Sequence, residues 1–248
     1  VQIWRLWPTQ RVAEGTLKTK NKLCESQLRN WKLLNEFQRR LASHLEDRDK
    51  SPTELDPRRQ LHAGQYLSMV LLGLLNPVIQ TARALCGASH FQRVQEETGG
   101  PPVSQASLSE MQRVVDPELV AALLREVVSE AQPIYGDARV RQQIDDLIAN
   151  DGTLLPAWPR MAWALWQNPQ NRAGKLHREF SVWRQVPVEW TITDANTSER
   201  AMWKAKLRQG AFYVNDRNYS HDYDLIGEVQ EAGASFVLRL HHNAVMTP

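Results

Sequence analysis

Apolar side chains recur at helical spacing through the first half of the chain and at alternate positions through much of the second, with the change of texture near Asp145. From Asn21 to about Glu46, Leu23, Trp31, Leu34, Phe37, Leu41 and Leu45 predict one amphipathic helix with Lys32, Arg39 and Arg40 interleaved. Its charges read either as a face for DNA or a partner, or as a solvated face over a packed stripe, and the second reading is preferred. Residues 46–58 (EDRDKSPTELDPR) carry two prolines and read as a linker. Asp56-Pro57, a capping acid before a proline at the first helical position, predicts a helix running through Leu75. Asn76-Pro77 predicts a second, from Val78 to about Gly87. After a Gly/Pro loop at 98–102, Ser107 and Glu110 have the spacing of a capping box. Asp116-Pro117 opens a helix whose stripe of Leu119, Val120, Leu123, Leu124, Val127 and Val128 ends before Pro133. Residues 1–20 lack periodicity and receive no element.

Past Asp145 the signals are those of strands. Leu147–Ala149 is a short apolar run that meets Asn150, Asp151 and Gly152, a glycine that permits a turn. KLHREFSVWR (175–184) and PVEWTITD (187–194) alternate apolar with polar positions and read as a hairpin. A helix from Glu199 to Arg208 ends near Gly210, and AFYVNDRNY (211–219) is a strand that stops at Asp216. A helix over 220–232 and a strand over 235–240 complete the order strand, strand, strand, helix, strand, helix, strand. The expected divisions are 1–58 (basic arm, amphipathic helix, linker), 59–144 (helical) and 145–248 (α/β).

With 248 residues, 42% of them hydrophobic, the chain can bury a sizeable core. A net charge of +2 neither demands nor excludes nucleic acid, so clustering of Lys and Arg must decide. Cys24 and Cys86 have no paired spacing and read as reduced, packed thiols of a cytoplasmic protein. The longest apolar run, Tyr66 to Leu75, is too short to span a bilayer, and no leader pattern is visible, so no membrane partner is expected. His241 and His242, with His177 or His221, make a poor zinc set because adjacent residues on a strand face opposite ways.

Two acids delivered to the carboxyl ends of neighbouring strands form a natural site for magnesium or manganese. Asp151 and Asp216 are therefore the candidate catalytic and metal-binding residues. A pair of ions held there would suit in-line phosphoryl displacement. The competing reading of each acid is a turn former or helix cap.

DGTLLPAWPRMAWALW (151–166), KLHREFSV (175–182) and FYVNDRNY (212–219) followed by SFVLRLHHN, together with YLSMVLLGLLNPVIQTARAL and VSQASLSEM upstream, resemble the DDE transposases of bacterial cut-and-paste insertion sequences. The resemblance spans roughly residues 60 to 243. It implies an α/β fold, an RNase H-like mixed sheet of about five strands with helices, preceded by an all-α N-terminal region. It also implies Asp151 on the first strand and Asp216 on the fourth as ligands of Mg2+ or Mn2+, two ions in a complete relative. The implied partner is double-stranded DNA, both the terminal inverted repeats and the target, with a homodimer in the DNA complex and a place in the bacterial cytoplasm, on the nucleoid when DNA-bound. Phosphate contacts are expected from Arg160, Lys175, Arg217 and Arg239, with Lys204, Lys206 and Arg208 nearby, and base stacking from Tyr219 or Trp158.

The chain departs from the family in two places. Where relatives carry Arg-Gly-Tyr after the second acid, this chain has Arg217-Asn218-Tyr219, and Asn tolerates positive φ nearly as glycine does. The family's third carboxylate, a Glu on a helix after a mainly β insertion, would follow Pro248, and neither Glu228 nor Glu231 is nominated for it. The chain as given is therefore expected to cleave DNA very poorly or not at all. The alternative is a non-catalytic DNA-binding remnant that occupies transposon ends or pairs with a full-length transposase. A hydrolase-like reading ranks last because no Gly-x-Ser-x-Gly elbow is present.

Overall fold

The structure is a computed structural model and describes residues 23–46, 50, 52–134, 137–144, 146–157, 163–164, 172–220 and 222–240. The chain divides into two compact units between Leu124 and Arg125.

The first unit is helical: α1 (Trp31–Glu46), α2 (Ala63–Leu75), α3 (Ala82–Ala88), α4 (Gln92–Thr98), α5 (Gln105–Val114) and the start of α6 (Pro117–Glu130). The periodic stripe of α1 buries Leu34 and Leu41. Helix α2 is apolar nearly all round and is accordingly central, with Tyr66, Leu67, Met69, Val70 and Leu72 in the same core as Leu85, Val94, Leu108 and Met111. Several expected boundaries move because the polar residues that suggested them do other work. Asp56 closes a local turn, its Oδ1 accepting the Arg58 N–H at 2.9 Å, and α2 starts only at Ala63. Asn76 starts no helix. It is buried, accepts the Arg29 N–H at 2.7 Å and donates to the Leu72 carbonyl at 2.8 Å, so it finishes α2 and fixes the chain entering α1. Helix α3 begins after Thr81, whose hydroxyl accepts the Ala84 N–H at 3.1 Å. Ser104, not Ser107, caps α5, accepting the Ser107 N–H at 3.0 Å. Helix α4, unforeseen, ends on Gly99 at φ 72°. Cys24 is exposed, so it is not the packed thiol expected, and Cys86 is half-buried.

The second unit holds α7 (Ala138–Arg141), β1 (Asp146–Pro156), β2 (Ala173–Ser181), β3 (Val186–Asp194), α8 (Glu199–Lys204), β4 (Ala211–Asn215), a 3-10 turn (Arg217–Tyr219), α9 (Tyr223–Glu231) and β5 (Ser235–Leu238). The sheet order is β3-β2-β1-β4-β5. Strands β1, β2 and β3 are antiparallel neighbours, while β4 runs parallel to β1 and β5 parallel to β4. This mixed five-stranded sheet, preceded by helices, is the RNase H-like arrangement expected from the sequence. Trp203 of α8 and Leu225 and Val229 of α9 pack with Ile148, Ala211 and Tyr213 of the central strands. The fully buried Tyr213 keeps its hydroxyl paired, accepting the Arg208 N–H at 3.0 Å and donating to the Lys206 carbonyl at 3.3 Å. Helix α8 stops at Lys204, short of the expected Arg208, and α9 opens at Tyr223 behind an Asp222 cap. Among the described residues, no helix is long and apolar enough to cross a membrane.

Candidate functional site

The site grows out of the β1/β4 register. The strands pair in parallel as far as Ala149 and Val214. One residue on, side chains continue the rung: Asn215 Oδ1 accepts the backbone N–H of Asn150 at 3.2 Å and its Nδ2–H at 3.0 Å. One further residue on in each chain segment stand Asp151, still inside β1, and Asp216, just past the end of β4.

The two acids are held differently. Asp151 is not at a strand tip, since β1 runs on to Pro156 and pairs Asp151 with Arg178 of β2. The turn expected at Gly152 is absent. The glycine serves instead as a gap: a Cβ there would lie 2.3 Å from Oε1 of Glu199. Asp216 lies just past β4 and caps the 3-10 turn, its Oδ1 accepting the Asn218 N–H at 2.9 Å. Arg178 donates to Asp151 Oδ2 at 2.9 Å, with both side chains about half exposed or more. Such an open pair is worth about 0–1 kcal/mol, so Asp151 can exchange it for another cation at little cost.

Among the described residues, no group of three or more His, Cys, Asp or Glu side chains is close enough to hold a metal ion. Asp151, inside β1, and Asp216, just past β4, are nonetheless hard oxygen donors, the kind that magnesium takes alongside water and phosphate oxygens.

Glu199, the first residue of α8 behind the Ser198 cap, approaches both acids' surroundings. Its Oε1 is 3.6 Å from Lys175 Nζ, and its Oε2 accepts from Asn218 Nδ2 at 3.1 Å. Tyr219 lies beside it, 2% exposed, with its ring edge-on to Trp203 at 5.4 Å. Burial pushes the Tyr219 hydroxyl upward, and the charges of Glu199, Asp216 and Asp151 push it further. Asp151, Glu199 and Tyr219 line one cleft with His177, Glu179 and Lys206.

The basic residues divide. Arg217 and Arg239 are exposed and remain able to meet phosphate. Lys175 is taken from that set: its Nζ donates to the Thr197 carbonyl at 3.0 Å, faces Glu199, and its side chain is 14% exposed. Tyr219 is taken from the stacking set, because its ring is buried in the core under α8. Lys204 pairs with Glu228, Lys206 donates to Thr191 Oγ1 at 2.8 Å and Arg208 pairs with Glu179, so the trio is engaged within the unit. Arg160, Trp158, His221, His241 and His242 lie outside the described residues. His177 is a core histidine, 6% exposed and 2.8 Å from Thr193 Oγ1, with its pKa lowered by burial and then by Lys175 and Lys206.

Sequence reasoning passed over Arg178, Glu199 and the Asn150/Asn215 rung. Arg178 sits in the quoted KLHREF segment, but only strand register shows that it faces Asp151. Glu199 carried a signal, an acid directly after a serine cap, that reads as ordinary helix chemistry.

No family model matches the chain, and no curated protein matches it. Among solved structures, it is similar to the piggyBac transposase in a cryo-EM synaptic complex with hairpin DNA, at 12% identity and a TM-score of 0.36. The similarity covers 99% of this chain, which spans 47% of the length of that one.

Proposed function

We propose that residues 125–248 form a transposase-type nucleic-acid-processing domain in which Asp151 and Asp216 hold a divalent cation, Mg2+ or Mn2+, against a DNA phosphate. The observation that carries this reading is the parallel β1/β4 register, with the Asn150/Asn215 rung directly before the two acids. A bound divalent cation supplies Lewis acidity toward the phosphodiester and a more acidic bound water. The chain's own residues do the rest. Asp151 supplies negative oxygen from inside β1 and Asp216 from the turn just past β4, Arg178 neutralises Asp151 when no cation is present, and Arg217 and Arg239 draw in the DNA backbone. Inverted-repeat and target DNA are the substrates in this reading, with two protomers on the DNA.

With two carboxylates the cation is under-liganded, and strand cleavage by this chain is weak. A second reading is a DNA-binding module without chemistry, supported by the capping role that Asp216 already fills in its own turn. Calorimetric titration with Mn2+ tests the first. Wild type binds, while Asp151→Asn and Asp216→Asn each abolish binding, and the terminal-repeat DNA affinity of all three falls with salt. Equal Mn2+ response in wild type and both variants, with DNA binding intact, leaves the second reading standing instead.

A further inference from the structure

The Glu199 carboxylate is in an unusual position for a helix-start acid. It is 19% exposed, and one oxygen lies over Gly152, the residue after Asp151, at a distance no Cβ would tolerate. That same oxygen faces Lys175 on β2. The other oxygen takes a hydrogen bond from the side chain of Asn218, whose backbone N–H is already held by Asp216. One carboxylate thus connects β1 and β2 to the short turn that carries Asp216.

That turn is anchored at its far end, where Tyr219 is buried against Trp203, but its near end is open: it lies past β4, Arg217 and Asn218 are exposed, and Asp216 itself supplies its cap. Asp151, by contrast, is fixed inside a strand paired with β2. Of the two acids, Asp216 is the one outside the strand ladder, and Glu199 joins its turn to the β1 and β2 surface at Gly152 and Lys175.

Resting on the cation reading above, we infer that Glu199 is a positioning residue: through Asn218 it sets the Asp216 carboxylate against Asp151, and it is not itself a ligand. Asn218 is then the other half of the device. Where a glycine would leave this turn without a side-chain tether, the asparagine amide supplies one. Gly152 completes the device by leaving room for the Glu199 carboxylate at the strand surface.

The test uses the full chain and Mn2+ alone as the probe. Glu199→Ala and Asn218→Ala each weaken Mn2+ binding roughly tenfold, the scale of losing a group that orients a ligand. The double variant loses no more than either single, since both break one link. Glu199→Gln keeps an acceptor for Asn218 and binds within about twofold of wild type. Asn218→Ala alters an exposed side chain and keeps the fold even if Glu199→Ala does not. A second readout needs no metal: amide exchange at Asn218 and Tyr219 speeds up in Glu199→Ala and returns to the wild-type rate in Glu199→Gln. Unchanged Mn2+ affinity in Glu199→Ala and Asn218→Ala overturns the inference, as does additive loss in the double variant. If wild type binds no Mn2+, the cation reading fails. Exchange then decides the tether alone: faster exchange in Glu199→Ala upholds it, and unchanged exchange overturns it as well.

Discussion

In the helical unit, several buried polar side chains bond back to a carbonyl of their own helix; in the sheet unit, several meet a side chain from another strand or turn. Ser68 returns to the Gly64 carbonyl, Thr98 to Val94 and Asn76 to Leu72, each within its own helix. Beneath α8 the pattern is different: Glu179 meets Arg208, His177 meets Thr193, and Asn150 meets Asn215. Glu179 Oε1, Trp203 Nε1 and Asn215 Nδ2 are buried there without a partner among the described residues. Local polar bonds satisfy a helix on its own, whereas cross-strand ones tie separate strands to a common register.

The comparison breaks most visibly on the apolar side. Met69→Ala or Leu72→Ala, each fully buried, costs about 2–5 kcal/mol of the helical unit's stability, read by urea unfolding with unit-resolved amide exchange. Asn76→Ala follows at about 1–3 kcal/mol, because the Arg29 N–H and the Leu72 carbonyl lose their buried partner.

The sheet unit is sharpened by pH instead. Burial raises the Glu179 pKa against the pull of Arg208, so its contribution is full below the ordinary carboxylate range and is lost as pH rises through its folded value. His177 has the opposite sign. With its pKa lowered by burial, its contribution is full above about 6.5 and is lost as pH falls through the folded value. Glu179→Gln removes the first slope and leaves the second, measured as unfolding midpoints across pH 4 to 8 at roughly half-unit steps. The smallest effect is on α1, where Arg39 and Arg40 hold the exposed Glu36 carboxyl at about 2. Glu36→Gln leaves the melting temperature at neutral pH within error, and a clear drop would place real energy on that solvated face.

The sheet was legible because alternation along β2 and β3 and the β-rich run before Asp216 are local signals. Helix starts were legible only where the capping residue had no better offer. Asp116 caps where expected, its Oδ1 accepting the Glu118 N–H at 2.9 Å, but Asn76 is drawn away by Arg29, a partner 47 positions earlier in the chain. The same limit governed the site. Asp151 and Asp216 stand out in sequence as acids after apolar runs. Arg178 and Glu199 acquire their places only through register and through a gap in the side-chain layer at Gly152. Lys175 and Tyr219 misled because a charge or a ring beside a motif says nothing of which face of the sheet it takes.

Because β1 and β4 are aligned by their own ladder, everything between them is looped out of the alignment. Residues inserted at the β2 to β3 corner, where Gln185 already turns at φ 58°, would lengthen the protein without changing the spacing of the two aspartates. A slip of β4 by a single residue would do the reverse, keeping the length and sending Asp216 to the far side of the sheet. Natural variants of this chain should therefore differ freely in the size of that corner and hardly at all in the number of residues from Ala211 to Asp216.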